Sequence, residues 1–246
     1  MSDFSEITSY WFDSKSDNFR DQWFQKDPVK LGELDNYITN KFGKYLTYFE
    51  KTPYQVIIGM DLNNIIDGII CLDQFSRHIY RQKRKPFNTQ KMIDQNTVKA
   101  SALTKKIIYS EPWKQFIIEQ NELASQLIPF ILMPLKHENI YNNFQIINNF
   151  ILSIYKTHDK LPDNINKFYY DSLKKYCVDF RQISNITIYD FTKDYVFYID
   201  NRYLKDVCEF FPAIKMNTCR DISSEPLCKI VDIYIKNLLD NKFLVK

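Results

Sequence analysis

Glycine is scarce in this chain: 246 residues contain four, Gly32, Gly43, Gly59 and Gly68. Without a cluster of them there is no Gly-rich loop to cradle a phosphate, which excludes P-loop and dinucleotide-binding sites within this chain. Alanine is equally scarce, while Ile, Asn, Lys, Tyr and Phe abound, a balance expected from AT-rich coding DNA. The many Asn residues therefore say little about chemistry. No apolar run approaches the ~20 residues of a membrane span. The opening MSDFSEIT also lacks the basic start and apolar stretch of a signal peptide. Both features predict a cytoplasmic protein with no membrane partner.

An excess of one charge is missing too. The net charge is +3, with acids and bases scattered along the chain, so no global field directs it to nucleic acid. The densest basic run, Arg81 to Lys85, is local and reads as a solvated loop. The five cysteines, Cys71, Cys177, Cys208, Cys219 and Cys228, match no zinc spacing, and their odd number argues against a fully paired disulfide framework. Free, mostly buried thiols are predicted. No metal set is expected, and the sequence names no cofactor.

What is present is the material of a helical core: 45% hydrophobic residues, 16% aromatic. Thr52 to Arg81 reads as one long helix, opened by a capping box of Thr52 and Gln55 around Pro53. Ile58, Leu62, Ile65, Ile69, Leu72 and Ile79 recur at steps of four and three and define its core face. Before it, Tyr10, Trp11, Phe12, Phe19, Trp23 and Phe24 read as anchors of a core edge. A helix capped by Asp27 and Pro28 follows, with Leu31, Leu34, Ile38, Phe42, Tyr45 and Phe49 on its buried side.

Further helices are predicted downstream. Asn88 caps one through Met92, Ile93, Ala100, Leu103 and Ile107. Ser110 caps the next, running from Trp113 through Phe116, Ile117, Leu123 and Leu127 into Pro129 and Pro134, where it should break or bend. Ile140, Phe144, Ile147, Ile151 and Ile154 mark another. The fold class is all-α, with stacked antiparallel helices in residues 1–160 and a mostly helical C-terminal extension in 161–246. Within the extension, Phe168 to Phe180 and the stretch after Ser224 read as helices, and Ile186 to Ile199 as helix or strand. The apolar end KFLVK predicts a chain that continues into a further, covalently linked domain.

The long helix ends in Asp73, Gln74, Arg77, His78 and Arg81. Asp73, Arg77 and Arg81 follow one another at steps of four and share a stripe. The segment CLDQFSRHIYR resembles the LDQFxRNxxR signature of a bacterial family catalogued as domain of unknown function 924. That family is all-helical, with a fold similar to tetratricopeptide repeats. Tyr10 to Phe12, Trp23 to Asp27, Pro86-Phe87 and Phe130 to Asn139 resemble, in order, the family's FWF, WFxxD, aF and FxxMPLxHSED. The similarity covers about residues 7–155. His78 stands at a family Asn, Gln90 at a family Asp, and the HSED run is shortened to His137-Glu138-Asn139.

The resemblance implies that the polar end of the central helix meets the proline-bearing segment. Asp73, Gln74, Arg77, His137 and Glu138 would then form a polar network between helices, which by itself can serve to fix helix register. Three functional readings are open. One is a module binding an anionic, phosphate-containing small molecule, RNA or a partner segment through Asp73, Gln74, Arg77, His78 and Arg81. Another is a small-substrate enzyme using His137 or Glu138. The third, from the chain's end, is an accessory domain of a PP-loop ATP-pyrophosphatase-type enzyme.

Overall fold

The computed structural model describes residues 4–12, 23, 25–82, 89–119, 121–138, 140–158, 162, 164–165, 167–169 and 171–172. Every regular element among them is helical, so the chain is all-α. They divide between two compact units, Met1–Asn143 and Phe144–Lys246. No helix among the described residues is long and apolar enough to cross a membrane.

The first unit is built on α2 (Pro28–Lys51), which begins where the sequence predicts. The Asp27 carboxylate accepts from the amides of Val29 and Lys30, and Pro28 fills the first position, where its missing N–H costs nothing. Its buried stripe is Asp35, Ile38, Phe42, Leu46 and Phe49. Leu31, Leu34 and Tyr45, expected on that stripe, are half-buried beside it. The short α1 (Glu6–Trp11) is tied to the unit by Asp67, whose carboxylate accepts from both the amide and the hydroxyl of Thr8. Trp11, Phe12 and Trp23 stack edge-on around Phe130.

Thr52 to Arg81 is not one helix. Thr52 closes α2, its hydroxyl donating to the Tyr48 carbonyl at 2.8 Å, and forms no capping box with Gln55. The Lys99 ammonium completes that end, donating to the carbonyls of Phe49, Glu50 and Thr52 at 2.6, 3.2 and 2.5 Å. A single turn, α3 (Tyr54–Ile57), then gives way at Ile58–Met60. Asp61 restarts the helix as α4 (Leu62–Ile70) by accepting from the Asn64 amide at 2.9 Å. The apolar period runs through this break, whereas the cap chemistry of Asp61 starts a new helix. Next come a π-helical turn, Cys71–Phe75, and α5 (Ser76–Gln82). Ile65, Ile69, Leu72 and Ile79 are buried, while Ile58 and Leu62 are half-buried.

Among the described residues three helices complete this unit: α6 (Thr89–Ile107), α7 (Glu111–Glu119) and α8 (Asn121–Glu138). Ser110 caps α7, accepting from the Trp113 amide at 3.4 Å. Of the break or bend predicted at the prolines, no break occurs: α8 stays helical past both Pro129 and Pro134. Each proline forfeits one amide donor. The Thr104 hydroxyl of α6 supplies another to this segment, donating to the Ile131 carbonyl at 2.8 Å. The π-turn packs against α2, α4, α5 and α6, and α6 lies along α8.

Beyond Asn143, α9 (Tyr141–His158) buries Ile147, Phe150, Ile151 and Ile154. Ile140, expected on that stripe, is exposed and precedes the helix. Ile165, Phe168, Tyr169 and Ser172 are also buried. Several sequence expectations lie outside the described residues: those for Phe19, Phe24, Asn88, Pro86-Phe87, Asn139, the side chains of Phe116, Leu123 and Phe144, and the chain after Ser172. Four cysteines, the stretch Ile186 to Ile199 and the KFLVK end are among the latter.

Candidate functional site

The polar residues at the end of the central stretch separate into two clusters, one on each side of α5. The first centres on Asp73, in the π-turn. π-helical turns are rare and recur at functional sites. The Asp73 carboxylate has no exposed surface and is surrounded by donors. Gln74 Nε2 donates to Oδ2 at 2.5 Å, and Arg77 Nη2 to Oδ1 at 3.3 Å. Thr97 of α6 bridges: its hydroxyl accepts from Arg77 Nη2 at 3.0 Å and donates to Asp73 Oδ1 at 3.4 Å. From the end of α8, His137 Nδ1 reaches Oδ1 at 2.9 Å and Oδ2 at 3.0 Å.

Burial alone would push the Asp73 carboxyl up. His137 first, and then Arg77, outweigh burial and hold it below its ordinary value. An ionised carboxylate only accepts hydrogen bonds, so Nδ1 of His137 carries a proton, and in the neutral ring Nε2 is the bare acceptor. Nε2 has no hydrogen-bond partner among the described residues, and the side chain is 26% exposed. Arg77 is similarly half-committed. Its Nη2 makes both contacts, Nε is buried with no partner among the described residues, and the side chain is 30% exposed.

The second cluster centres on Asp35 of α2, which the sequence reading did not single out. His78 Nδ1 lies 2.6 Å from Asp35 Oδ1, and Arg81 Nη1 lies 3.0 and 3.3 Å from its two oxygens. Asp35 and His78 are buried, and Trp11 packs edge-on against the imidazole, with ring centroids 5.8 Å apart. Consecutive helical residues point about 100° apart, so Arg77 turns to α6 while His78 turns to α2. A readable signal marks Asp35. It lies three before Ile38 and seven before Phe42, an acid on the apolar line of its helix.

The structure therefore joins Asp73, Gln74, Arg77 and His137, and places His78 and Arg81 on Asp35. Glu138 stands apart from Asp73 in a cluster of its own. Its Oε2 accepts from Ser101 Oγ at 2.5 Å and Asn143 Nδ2 at 2.7 Å, with Lys105 Nζ 3.5 Å away. Burial raises its carboxyl. The hydrogen bonds from Ser101 and Asn143, and the Lys105 charge, bring it below the usual value. Thr97, Ser101 and Thr104, at steps of four and three, form a buried hydroxyl stripe on α6 that serves Asp73, Glu138 and the Ile131 carbonyl in turn. Sequence reasoning passed over that stripe, though its spacing is visible.

Among the described residues no three His, Cys, Asp or Glu side chains converge as metal ligands. What the Asp73 cluster offers is one aligned imidazole nitrogen beside one partly free guanidinium. In comparisons with known proteins, no curated protein and no solved structure matches the chain. The family model for bacterial proteins of unknown function, DUF924, matches residues 7–186, which includes both Asp–His clusters. The chain belongs to the DUF924 family of bacterial proteins of unknown function.

Proposed function

We propose that the chain is a helical module that binds a small ligand bearing a phosphate or carboxylate group, held by Arg77, Gln74 and His137. One observation carries this reading: the buried Asp73 carboxylate fixes Arg77 through Nη2 and His137 through Nδ1, while both side chains stay partly exposed, 30% and 26%, and His137 Nε2 has no partner among the described residues. A guanidinium with donors to spare is suited to an oxyanion, and a neighbouring imidazole adds a further contact. Asp73 offsets the Arg77 charge, so the site favours small anions over long acidic polymers, and Arg81 faces Asp35 in the other cluster.

Thermal melting with inorganic phosphate and a panel of small phosphorylated and carboxylated compounds tests the reading. A ligand at ten times its dissociation constant stabilises by about 1.4 kcal/mol, a shift of about 3 °C or more for a chain of this size. The shift should occur in wild type and vanish in Arg77→Met. If no compound shifts the wild type, or Arg77→Met responds equally, the site is structural.

A further inference from the structure

We infer that His137 is a catalytic base for hydrolysis of a small anion-bearing ester, an activity that rests on the anion-binding reading of the same site. Among the described residues two Asp–His pairs are built alike, with Nδ1 on a buried carboxylate in each. They differ in access. The His78 side chain is 10% exposed and covered edge-on by Trp11, whereas His137 is 26% exposed and its Nε2 is unpaired among the described residues. A carboxylate that fixes the Nδ1–H tautomer leaves Nε2 as the base, so Asp73 is the positioning residue for His137.

The nucleophile follows by elimination within the cluster. The Thr97 hydroxyl is held between Arg77 and Asp73, and the Ser101 hydroxyl donates to Glu138. Water is what remains. With the anionic group on Arg77, Nε2 takes a proton from a water molecule as its oxygen bonds to the phosphorus or carbonyl carbon of the ester. The bond from that atom to the leaving oxygen breaks, and the proton on Nε2 passes to that oxygen. The step consumes one water, leaves the ring neutral, and needs no other co-reactant.

The test uses 4-nitrophenyl phosphate and mono-4-nitrophenyl succinate, two anion-bearing esters that separate phosphoryl from acyl chemistry. Wild type should release nitrophenol from one of them. His137→Asn keeps a donor for Asp73 but lacks Nε2, and should be slower by about 100-fold or more. Asp73→Asn should slow hydrolysis and alter its pH profile, because the imidazole loses its fixed tautomer. Only three histidines occur, so long-range nitrogen–proton NMR of the wild type reports the ring state of each directly. His137 should be protonated on Nδ1 and bare on Nε2. The opposite tautomer overturns the inference, whatever the variants do. So does hydrolysis of both esters no faster than in His137→Asn. Phosphate-induced stabilisation without cleavage leaves the binding reading standing and removes the catalytic one. Absence of both effects removes both.

Discussion

Gly68 and Phe49 meet with room for a hydrogen atom and nothing larger: a Cβ on Gly68 would stand 2.9 Å from Cε1 of the Phe49 ring. That ring is fully buried and packed against Phe4 and Tyr48, at centroid distances of 4.8 and 5.4 Å, so it cannot swing aside. Gly68→Ala should therefore destabilise the protein by about 1–2 kcal/mol, overpacking exceeding the gain in helix propensity. Adding Phe49→Leu should recover part of that loss. Urea unfolding of the three variants decides it, and a more stable Gly68→Ala would show that the contact relaxes freely.

The Asp35 cluster is expected to matter for folding. Asp35→Ala leaves His78 buried without its acceptor and should cost about 3 kcal/mol or more. Arg81 is 46% exposed and its charge is screened, so Arg81→Met should cost under about 1 kcal/mol. Denaturation curves showing equal losses would contradict the distinction drawn from burial.

Acid sensitivity should trace in part to Asp73 and Glu138, whose carboxyls are held below their ordinary values in the fold. A depressed folded value gives stability that is fully present above the unfolded value of about 4 and is lost as pH falls through the folded one. Urea midpoints measured from about pH 6 to pH 3 should fall for wild type. Asp73→Asn, though less stable at neutral pH, should fall less steeply. Parallel pH curves would mean that Asp73 does not contribute to the acid limb.

Cys71 should be chemically silent. Burial pushes its thiol up, and the charges of Glu50 and Asp67 push it further, so the reactive thiolate is suppressed. Iodoacetamide at about pH 8, followed by peptide mass mapping, should leave Cys71 unmodified in the native protein and label it in urea. Labelling of the native protein would reveal local opening of α4 and the π-turn.

The sequence revealed the helical class because burial on one side of a helix has a simple period, visible in Ile65, Ile69 and Leu72. It was weaker wherever a polar atom decided the outcome. The break at Asp61 depends on one carboxylate capping one amide. The separation of Glu138 from His137 depends on the angle between adjacent residues. Asp35 went unnoticed because an acid in an amphipathic helix is ordinarily on the wet side, and its partners lie 43 and 46 residues away. The meeting of Asp73 with the His137 segment was expected from the family resemblance, since no local rule joins residues 64 apart.

The π-turn at Cys71–Phe75 also sets an angular phase. A wide turn accommodates one residue more than an α-turn, so everything after it is rotated by about 100° from where an unbroken α-helix would put it. That offset lets Arg77 meet Thr97 on one neighbour while His78 and Arg81 meet Asp35 on another. Removing one of the five residues and restoring the ordinary pitch would cancel that offset and leave both arginines in phase, whereas inserting one residue between Phe75 and Arg77 would swing both off their carboxylates together. For the stretch between this turn and the arginines the residue count is as strict a requirement as the residue types, and a one-residue insertion between Phe75 and Arg77 should be worse than most substitutions.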